Sequence, residues 1–157
     1  MLKKIKPYVI SILIALGVGA LSALLTRESM DIYSELRTPP LSPPSILFPI
    51  VWTILYILMG ISAAMIYTEK NSPSKARSSA LATYASSLVV NFSWSIIFFN
   101  FRALLFAFIW LIFLFYLIIK TITSYKKIKP LAAYLQIPYA LWVAFAGYLN
   151  FGIWILN

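Results

Sequence analysis

The sequence predicts an all-α integral membrane protein, built as a bundle of five transmembrane helices. Three observations predict this fold class. First, 62% of the 157 residues are hydrophobic and only 11% are charged, whereas soluble domains carry about 25% charged residues. Second, the chain contains five long apolar runs that are almost free of charge. Third, the basic residues lie mainly between these runs, which is typical of the loops of membrane proteins.

Each apolar run approaches the ~20 residues that a helix needs to cross the hydrocarbon core. Helices satisfy their own backbone polar groups, so they are stable in lipid. The first run is longer than the core of a signal peptide and four more runs follow it, which favours an uncleaved helix. The predicted spans, within a single domain covering 1–157, are Tyr8–Leu25, Ile46–Thr68, Ala80–Phe101, Ala103–Thr121 and Leu131–Leu156.

The loop between the first two spans, residues 26–45, is rich in proline. Proline fixes φ and removes a backbone donor, so the second half of this loop, Leu36–Ser45, should be stiff and partly polyproline-like rather than regular helix or inner strand. It leads directly into a span that carries Trp52 and Tyr56. We therefore expect a rigid lid above the first wall of a pocket. The four prolines of the lid are Pro39, Pro40, Pro43 and Pro44.

Proline and charge also predict the shape of the later spans. Arg102 is the only charge between the third and fourth spans, which indicates a tight antiparallel hairpin. Pro138 lies inside the fifth span and should kink it or free the carbonyl of Tyr134.

The placement of lysine and arginine predicts the orientation. Three basic residues flank the spans on the side of the lid, namely Arg27, Arg37 and Arg102. Ten lie on the opposite side, namely Lys3, Lys4, Lys6, Lys70, Lys75, Arg77, Lys120, Lys126, Lys127 and Lys129. The positive-inside rule then predicts a cytoplasmic N-terminus, with the lid outside, in a bacterial cell membrane.

Several function classes are disfavoured. No ionisable residue lies in the middle of a span, although pumps and proton-coupled transporters usually have one. With no Cys and no His, the common thiolate and imidazole ligands are missing, so we expect neither a metal site nor a required cofactor. The net charge of +9 comes from basic residues that lie between the apolar runs, where they set the orientation of a membrane protein. The lipid bilayer, and not nucleic acid, is therefore the expected partner.

Aromatic and amide side chains recur at helical spacing in three spans. Spacings of three and four residues place such side chains on one face of a helix. Flat walls with a few polar tips suit a flat, hydrophobic, weakly polar ligand. The candidate wall residues are Trp52 and Tyr56, then Asn91, Trp94 and Phe98, then Tyr139, Trp142, Phe145 and Ala146.

Structural roles compete with this interpretation. Trp110 and Trp154 fit the aromatic belt at a membrane surface, and Asn91 and Asn150 could instead join helices by hydrogen bonds. The small residues Ala15, Gly19 and Ala23 recur every four positions. They favour helix packing, within the bundle or in a homodimer, over ligand contact.

Together these motifs resemble the translocator protein family, also called the tryptophan-rich sensory protein or TspO/MBR family. The resemblance rests on the spacing of the lid prolines before Trp52, on Asn91-x-x-Trp94-x-x-x-Phe98-Phe99, and on Pro138-Tyr139-x-x-Trp142-x-x-Phe145-Ala146. It implies a five-helix bundle, often dimeric, whose pocket binds porphyrins, sterols or benzodiazepine-type ligands. By position, it assigns Tyr33, Pro39, Pro43 and Pro44 to the lid, and Trp52, Tyr56, Asn91, Phe98, Trp142, Phe145 and Ala146 to the walls.

The chain also departs from the family pattern. Ile32 and Leu41 stand where the family commonly carries tryptophan, which reduces the stacking surface of the lid. With no His or Cys to bind iron, a metal-free porphyrin is the expected ligand.

Four functions remain open at this point. The favoured one is a membrane-embedded binding or sensory protein for porphyrins. Some family members resemble light-dependent porphyrin degraders, in which Trp52 and Trp142 would be the catalytic candidates. A carrier of hydrophobic molecules and a structural subunit are the other two.

Overall fold

A computed structural model describes all residues from Met1 to Asn157, which form helices and no strands. Five segments are long and apolar enough to span a membrane, which confirms the predicted all-α bundle. We treat the chain as an integral membrane protein. The elements are α1 (Leu2–Thr26), α2 (Ile32–Glu35), α3 (Leu47–Tyr67), α4 (Ser74–Ser95), a π-helical turn (Ile96–Asn100), α5 (Leu104–Ile128), α6 (Pro130–Leu135) and α7 (Ile137–Leu156).

The five spans form a closed ring, in which neighbouring helices are not always consecutive in the sequence. Helix α1 packs against α3, α3 packs against α6 and α7, these pack against α5, α5 against α4, and α4 against α1. We call the end with α2 and the prolines the lid end, and the end with most lysines the basic end. Large apolar side chains such as Leu13 and Ile112 face outward, as lipid contact requires.

Three helices extend beyond their apolar runs. Helix α1 begins at Leu2 rather than Tyr8, α4 begins at Ser74 rather than Ala80, and α5 continues to Ile128 rather than ending at Thr121. The additional turns carry lysine or arginine, whose long side chains can reach water from a helix that leaves the membrane. Hydropathy therefore marks the hydrocarbon thickness and not the end of a helix.

The fifth span is divided near its basic end. The chain breaks at Gln136, and Pro138 lies in the first turn of α7, where its missing N–H group costs little. The buried Gln136 amide donates to the Ser62 hydroxyl (3.3 Å), and that hydroxyl donates to the carbonyl of Ala132 (2.7 Å). Pro138 thus marks a real break, and the short helix α6 is fastened to α3.

Helices α1 and α3 approach each other closely at two glycines. A Cβ on Gly60 would lie 2.8 Å from the backbone nitrogen of Ile12, and one on Gly19 would clash with the Tyr56 ring. Small residues allow such close backbone contact between membrane helices. Ala15, which is buried, and Gly19 therefore pack inside the bundle, as the sequence predicts, whereas Ala23 on the same face is exposed.

Candidate ligand-binding site

A cavity of about 650 Å³ lies at the lid end of the bundle. It is enclosed by α1, α3, the end of α4 with the π-helical turn, α7 and the segment around α2. Its volume falls within the range of about 300–1,000 Å³ that is usual for small-molecule sites. Most of its lining is apolar or aromatic.

Seven of the thirteen residues proposed from the sequence line this cavity. Trp52 and Tyr56 come from α3, where a spacing of four residues puts them on one face, and their rings stack at 5.6 Å. The full set is Tyr33, Trp52, Tyr56, Asn91, Trp94, Phe98 and Ala146.

Three predicted wall residues of α7 do not line the cavity, which corrects the sequence interpretation. Tyr139 and Trp142 lie on the same face of α7 as Ala146, but about two turns and one turn nearer the basic end. There the side chains of α3 fill the space: Trp52 packs edge-on against Tyr139 (6.3 Å) and Phe48 against Trp142 (5.9 Å). Phe145 contacts Trp142 and Tyr148 instead.

Asn91 joins three helices beside the cavity. Its buried side-chain amide donates to the hydroxyl oxygens of Tyr56 (3.3 Å) and Tyr139 (3.2 Å). The Asn91 amide of α4, the Tyr56 hydroxyl of α3 and the Tyr139 hydroxyl of α7 thus form one polar cluster within an apolar core. Asn91 therefore has both roles considered for it, since it joins helices and also lines the cavity.

Asn150 forms a second junction on the opposite side. Its carbonyl oxygen accepts a hydrogen bond from the indole nitrogen of Trp94 (3.1 Å), and its amide donates to the backbone carbonyl of Leu104 (2.9 Å). The Trp94 ring is thereby held in a fixed orientation, against Phe98 (5.4 Å).

The proline lid is fastened to α7. Pro39 is buried against Gly152, where a Cβ would lie 2.6 Å from the Pro39 ring. The Asn157 side chain bonds both to the amide of Arg37 (3.1 Å) and to its carbonyl (2.8 Å). Pro39, Pro43 and Pro44 do not line the cavity. They shape the lid, whereas Tyr33 is the member of the predicted lid set that faces inward.

Tyr33 connects the two parts of the lid. Its ring packs edge-on against Phe48 (5.1 Å), and its hydroxyl donates to the carbonyl of Pro43 (3.0 Å). Desolvation by burial raises the pKa of this hydroxyl, while the neighbouring Ser42 hydroxyl acts in the opposite direction. Ser42 itself donates to the carbonyl of Pro39 (2.6 Å) and closes the turn at Leu41, whose φ is 69°.

The contribution of α1 to the cavity was not predicted from the sequence. Gly19, Ala20 and Ala23 line the cavity together with Ser22 and Thr26. Small residues on α1 predicted helix packing, and Gly19 does pack against the Tyr56 ring. Small residues also leave space for a cavity where two helices separate. The other missed residues include Phe48, Phe99 and Asn150.

The π-helical turn was also missed. It spans Ile96–Asn100 and presents Phe98 and Phe99 to the cavity. The Asn100 amide donates to the carbonyl of Leu25 (3.1 Å), close to the end of α1. Turns of this kind occur frequently at functional sites, but they depend on packing, and no sequence signal marked this one.

The cavity carries little charge. Asp31 is the only ionisable carboxyl group in its lining, it lies exposed at the mouth, and no lysine or arginine belongs to the lining. The interior therefore favours uncharged groups, because an unpaired charge in an apolar site is costly.

Comparison with known proteins agrees with this architecture. Residues 11–155 match the TspO/MBR family. The translocator protein of Bos taurus is 35% identical over 137 residues, covering 87% of this chain and 81% of that protein. The tryptophan-rich protein TspO of Chlorobaculum tepidum is 32% identical over 159 residues, covering 99% and 98%. Protein CrtK of Rhodobacter capsulatus is 35% identical over 139 residues, covering 88% and 85%. With its five membrane spans and a family match over nearly its whole length, the chain belongs to the TspO/MBR family.

Proposed function

We propose that this protein binds porphyrins of the protoporphyrin type, and similar flat hydrophobic molecules, as a membrane-embedded binding or sensory protein. The observation that carries the proposal is the cavity at the lid end, in which aromatic rings surround a polar amide. Trp52, Trp94 and Phe98 offer stacking surfaces, and Asn91 lies among them. A macrocycle with an apolar rim and a few polar atoms matches this lining in size and in chemistry.

The hydrogen bonding of Asn91 favours a metal-free porphyrin. Its amide nitrogen is already engaged by Tyr56 and Tyr139. Its carbonyl oxygen is left to accept a hydrogen bond, and the pyrrole N–H groups of a metal-free ring are donors. The propionate groups of the ring would have to remain at the mouth, because the lining contains Asp31 and no basic residue.

We also propose that the protein lies in a bacterial cell membrane with its N-terminus in the cytoplasm. The basic end carries Lys126 and Lys127 at the end of α5, and the N-terminal lysines at the start of α1. Since basic residues are retained on the cytoplasmic side, the cavity would open toward the cell exterior. Labelling of Leu41→Cys in intact cells by an impermeant thiol reagent tests this orientation.

Ligand titration of the purified protein tests the binding proposal. Protoporphyrin binding is followed by quenching of tryptophan fluorescence. We expect Trp52→Leu to weaken binding at least tenfold, or about 1.4 kcal/mol, because a stacking surface is lost. Trp154→Leu is the matched control, since Trp154 lies outside the cavity lining and is exposed. Equal affinity in both variants would contradict the proposed site.

Light-dependent porphyrin degradation is a second candidate function. It is favoured by the stacking of Trp52, which lines the cavity, on Tyr56 at an interplanar angle of 29°. Trp142 does not share the lining, so Trp52 is the stronger candidate. Illumination of the complex with and without oxygen tests it: bleaching no faster than that of free porphyrin, or unchanged in Trp52→Phe, argues against degradation.

A further inference from the structure

Helices α1 and α3 are in close contact only in part of their length. The contacts are Gly60 against the Ile12 backbone and Gly19 against the Tyr56 ring. The backbones meet directly at the first contact, whereas the Tyr56 ring lies between them at the second. The cavity begins at this second contact, since Gly19 and Tyr56 both belong to its lining.

The cavity lining covers one broad face of α1, from a buried flank to an exposed one. Successive helical residues are about 100° apart, so Ala20 and Ser22 point in directions about 160° apart. Both nevertheless line the same cavity; Ser22 is buried and Ala20 is exposed. The cavity therefore reaches from the buried flank of α1, at Ser22, to its exposed flank, at Ala20.

Helix α3 shows the same arrangement. Phe48 and Thr53 point about 140° apart on this helix, and both line the cavity. Thr53 is exposed, whereas Phe48 is partly buried by Tyr33 and Trp142. Because α1 and α3 are neighbours and each contributes an exposed lining residue, Ala20 and Thr53, the cavity reaches the outer surface of the bundle between them.

The rim of this opening is suited to lipid. Ala20, Ala23, Pro49 and Thr53 are uncharged, small and exposed. The Thr53 hydroxyl donates to the carbonyl of Pro49 (2.7 Å), so it presents no free donor. Ala20 lies six residues before the end of α1, or about 9 Å along the helix, which is within a membrane-spanning segment.

At the lid end, the lid narrows the cavity to a mouth beside Asp31. The lid is fastened to α7 by Pro39 on Gly152 and by the hydrogen bond from Tyr148 to the Pro40 carbonyl (2.7 Å). It is fastened to α2 by the hydrogen bond from Tyr33 to Pro43. A molecule that enters from water must therefore pass the mouth beside Asp31, whereas the opening between Ala20 and Thr53 faces the side of the bundle.

We propose that the gap between α1 and α3 is a lateral portal, through which uncharged, lipid-soluble molecules reach the cavity from the bilayer. The proposal rests on the proposed function for the identity of the ligand, but not for the existence of the path. It makes Ala20 and Thr53 rim residues of the portal, so a larger side chain at either position should slow entry of the ligand.

A labelling experiment tests the path without any porphyrin. The chain has no cysteine, so Ser22→Cys introduces a single thiol on the inner side of α1. In proteoliposomes, we expect uncharged N-cyclohexylmaleimide to react with this thiol. We expect Ala20→Trp, added to Ser22→Cys, to slow the reaction at least tenfold by filling the portal. Leu13→Trp is the matched control, because Leu13 lies on the same outer face two turns below and outside the lining.

Thr53→Trp fills the portal from α3 and replaces Ala20→Trp if that variant does not fold. Equal labelling rates with and without the tryptophan would overturn the portal. The portal would also be overturned by a second result. In that result, Tyr148→Phe, which loosens the lid, speeds labelling of Ser22→Cys, and adding Ala20→Trp does not slow it.

A porphyrin experiment separates the two proposals. After protoporphyrin has partitioned into the proteoliposomes, Ala20→Trp should slow tryptophan quenching at least tenfold, whereas Leu13→Trp should leave its rate unchanged. If wild-type protein shows no quenching while the labelling result holds, the proposed function is wrong and the portal stands. If quenching is normal and equally fast in Ala20→Trp, the portal is wrong and the binding function stands.

Discussion

The hydroxyl of Tyr148, on α7, donates a 2.7 Å hydrogen bond to the carbonyl oxygen of Pro40, in the lid. The two residues are 108 positions apart in the sequence. Proline supplies no N–H group of its own, so the stiff lid is held mainly through its carbonyl oxygens. Those of Pro39, Pro40 and Pro43 all accept hydrogen bonds from side chains.

Removing this hydroxyl should loosen the lid. A neutral hydrogen bond contributes about 0.5–1.5 kcal/mol, so we expect Tyr148→Phe to speed amide hydrogen exchange in the lid by roughly two- to twelvefold. Tyr116→Phe is the control, because Tyr116 is an exposed tyrosine of α5. Unchanged exchange at Arg37, whose lid amide donates to the Asn157 side chain (3.1 Å), would show that Tyr148 does not hold the lid.

The glycine contact between α1 and α3 should tolerate no methyl group. In Gly60→Ala the new Cβ would meet the Ile12 backbone, which cannot rotate away as a side chain can. We expect a loss of about 1–3 kcal/mol, measured as a lower thermal midpoint in detergent. Gly17→Ala is the control, since nothing lies within 4 Å of its Cβ. It should be neutral or gain up to about 1 kcal/mol from its higher helix propensity. A larger loss of stability in Gly17→Ala than in Gly60→Ala would contradict this packing.

Asn91 should contribute to both stability and binding. Asn91→Leu leaves two tyrosine hydroxyls without their donor, and we expect a loss of about 1–3 kcal/mol in stability. Adding Tyr56→Phe and Tyr139→Phe removes the unpaired hydroxyls, so most of the stability should return. Porphyrin affinity should not return, because the amide acceptor is still missing. Recovery of both properties would show that Asn91 is structural alone.

Alkaline pH should release the lid. Burial raises the pKa of Tyr33 above the ordinary tyrosine value, which is about 10. The neutral form is therefore favoured in the folded chain, and its stabilisation is full below pH about 10 and is lost as pH rises through the raised pKa. The phenolate cannot donate to Pro43. We expect lid proteolysis to increase above that pH in the wild type, while Tyr33→Phe should be equally sensitive at pH 8 and pH 11.

The five spans could be predicted because lipid imposes a simple rule on composition. Charge-free runs such as Ile46–Thr68 are long enough to cross the membrane, and α3 occupies almost all of that run. The ends of α1, α4 and α5 were less predictable, because lysine permits a helix to continue into water. Pro138 correctly indicated a break. The π-helical turn arises from the packing of Phe98 and Phe99, which local sequence does not reveal.

The site was predictable where chemistry is unusual for a membrane interior. Asn91 and Trp94 stood out because polar tips are rare there, and both line the cavity. Trp142 stood out equally but packs behind Phe48, because helical spacing gives the face of a residue and not its depth relative to a neighbouring helix. The α1 wall was missed since alanine and glycine carry no chemical signal.

The break at Gln136 has a mechanical consequence for the fifth span. Below it, α6 is bonded to α3 through Ser62, and the nearby Lys129 pairs with Glu69 at 3.8 Å. Beyond it, α7 carries the lid. The fifth span therefore consists of two segments that can move separately about Gln136. Displacement of the lid should tilt α7, while the distance between spin labels on α6 and α3 should not change.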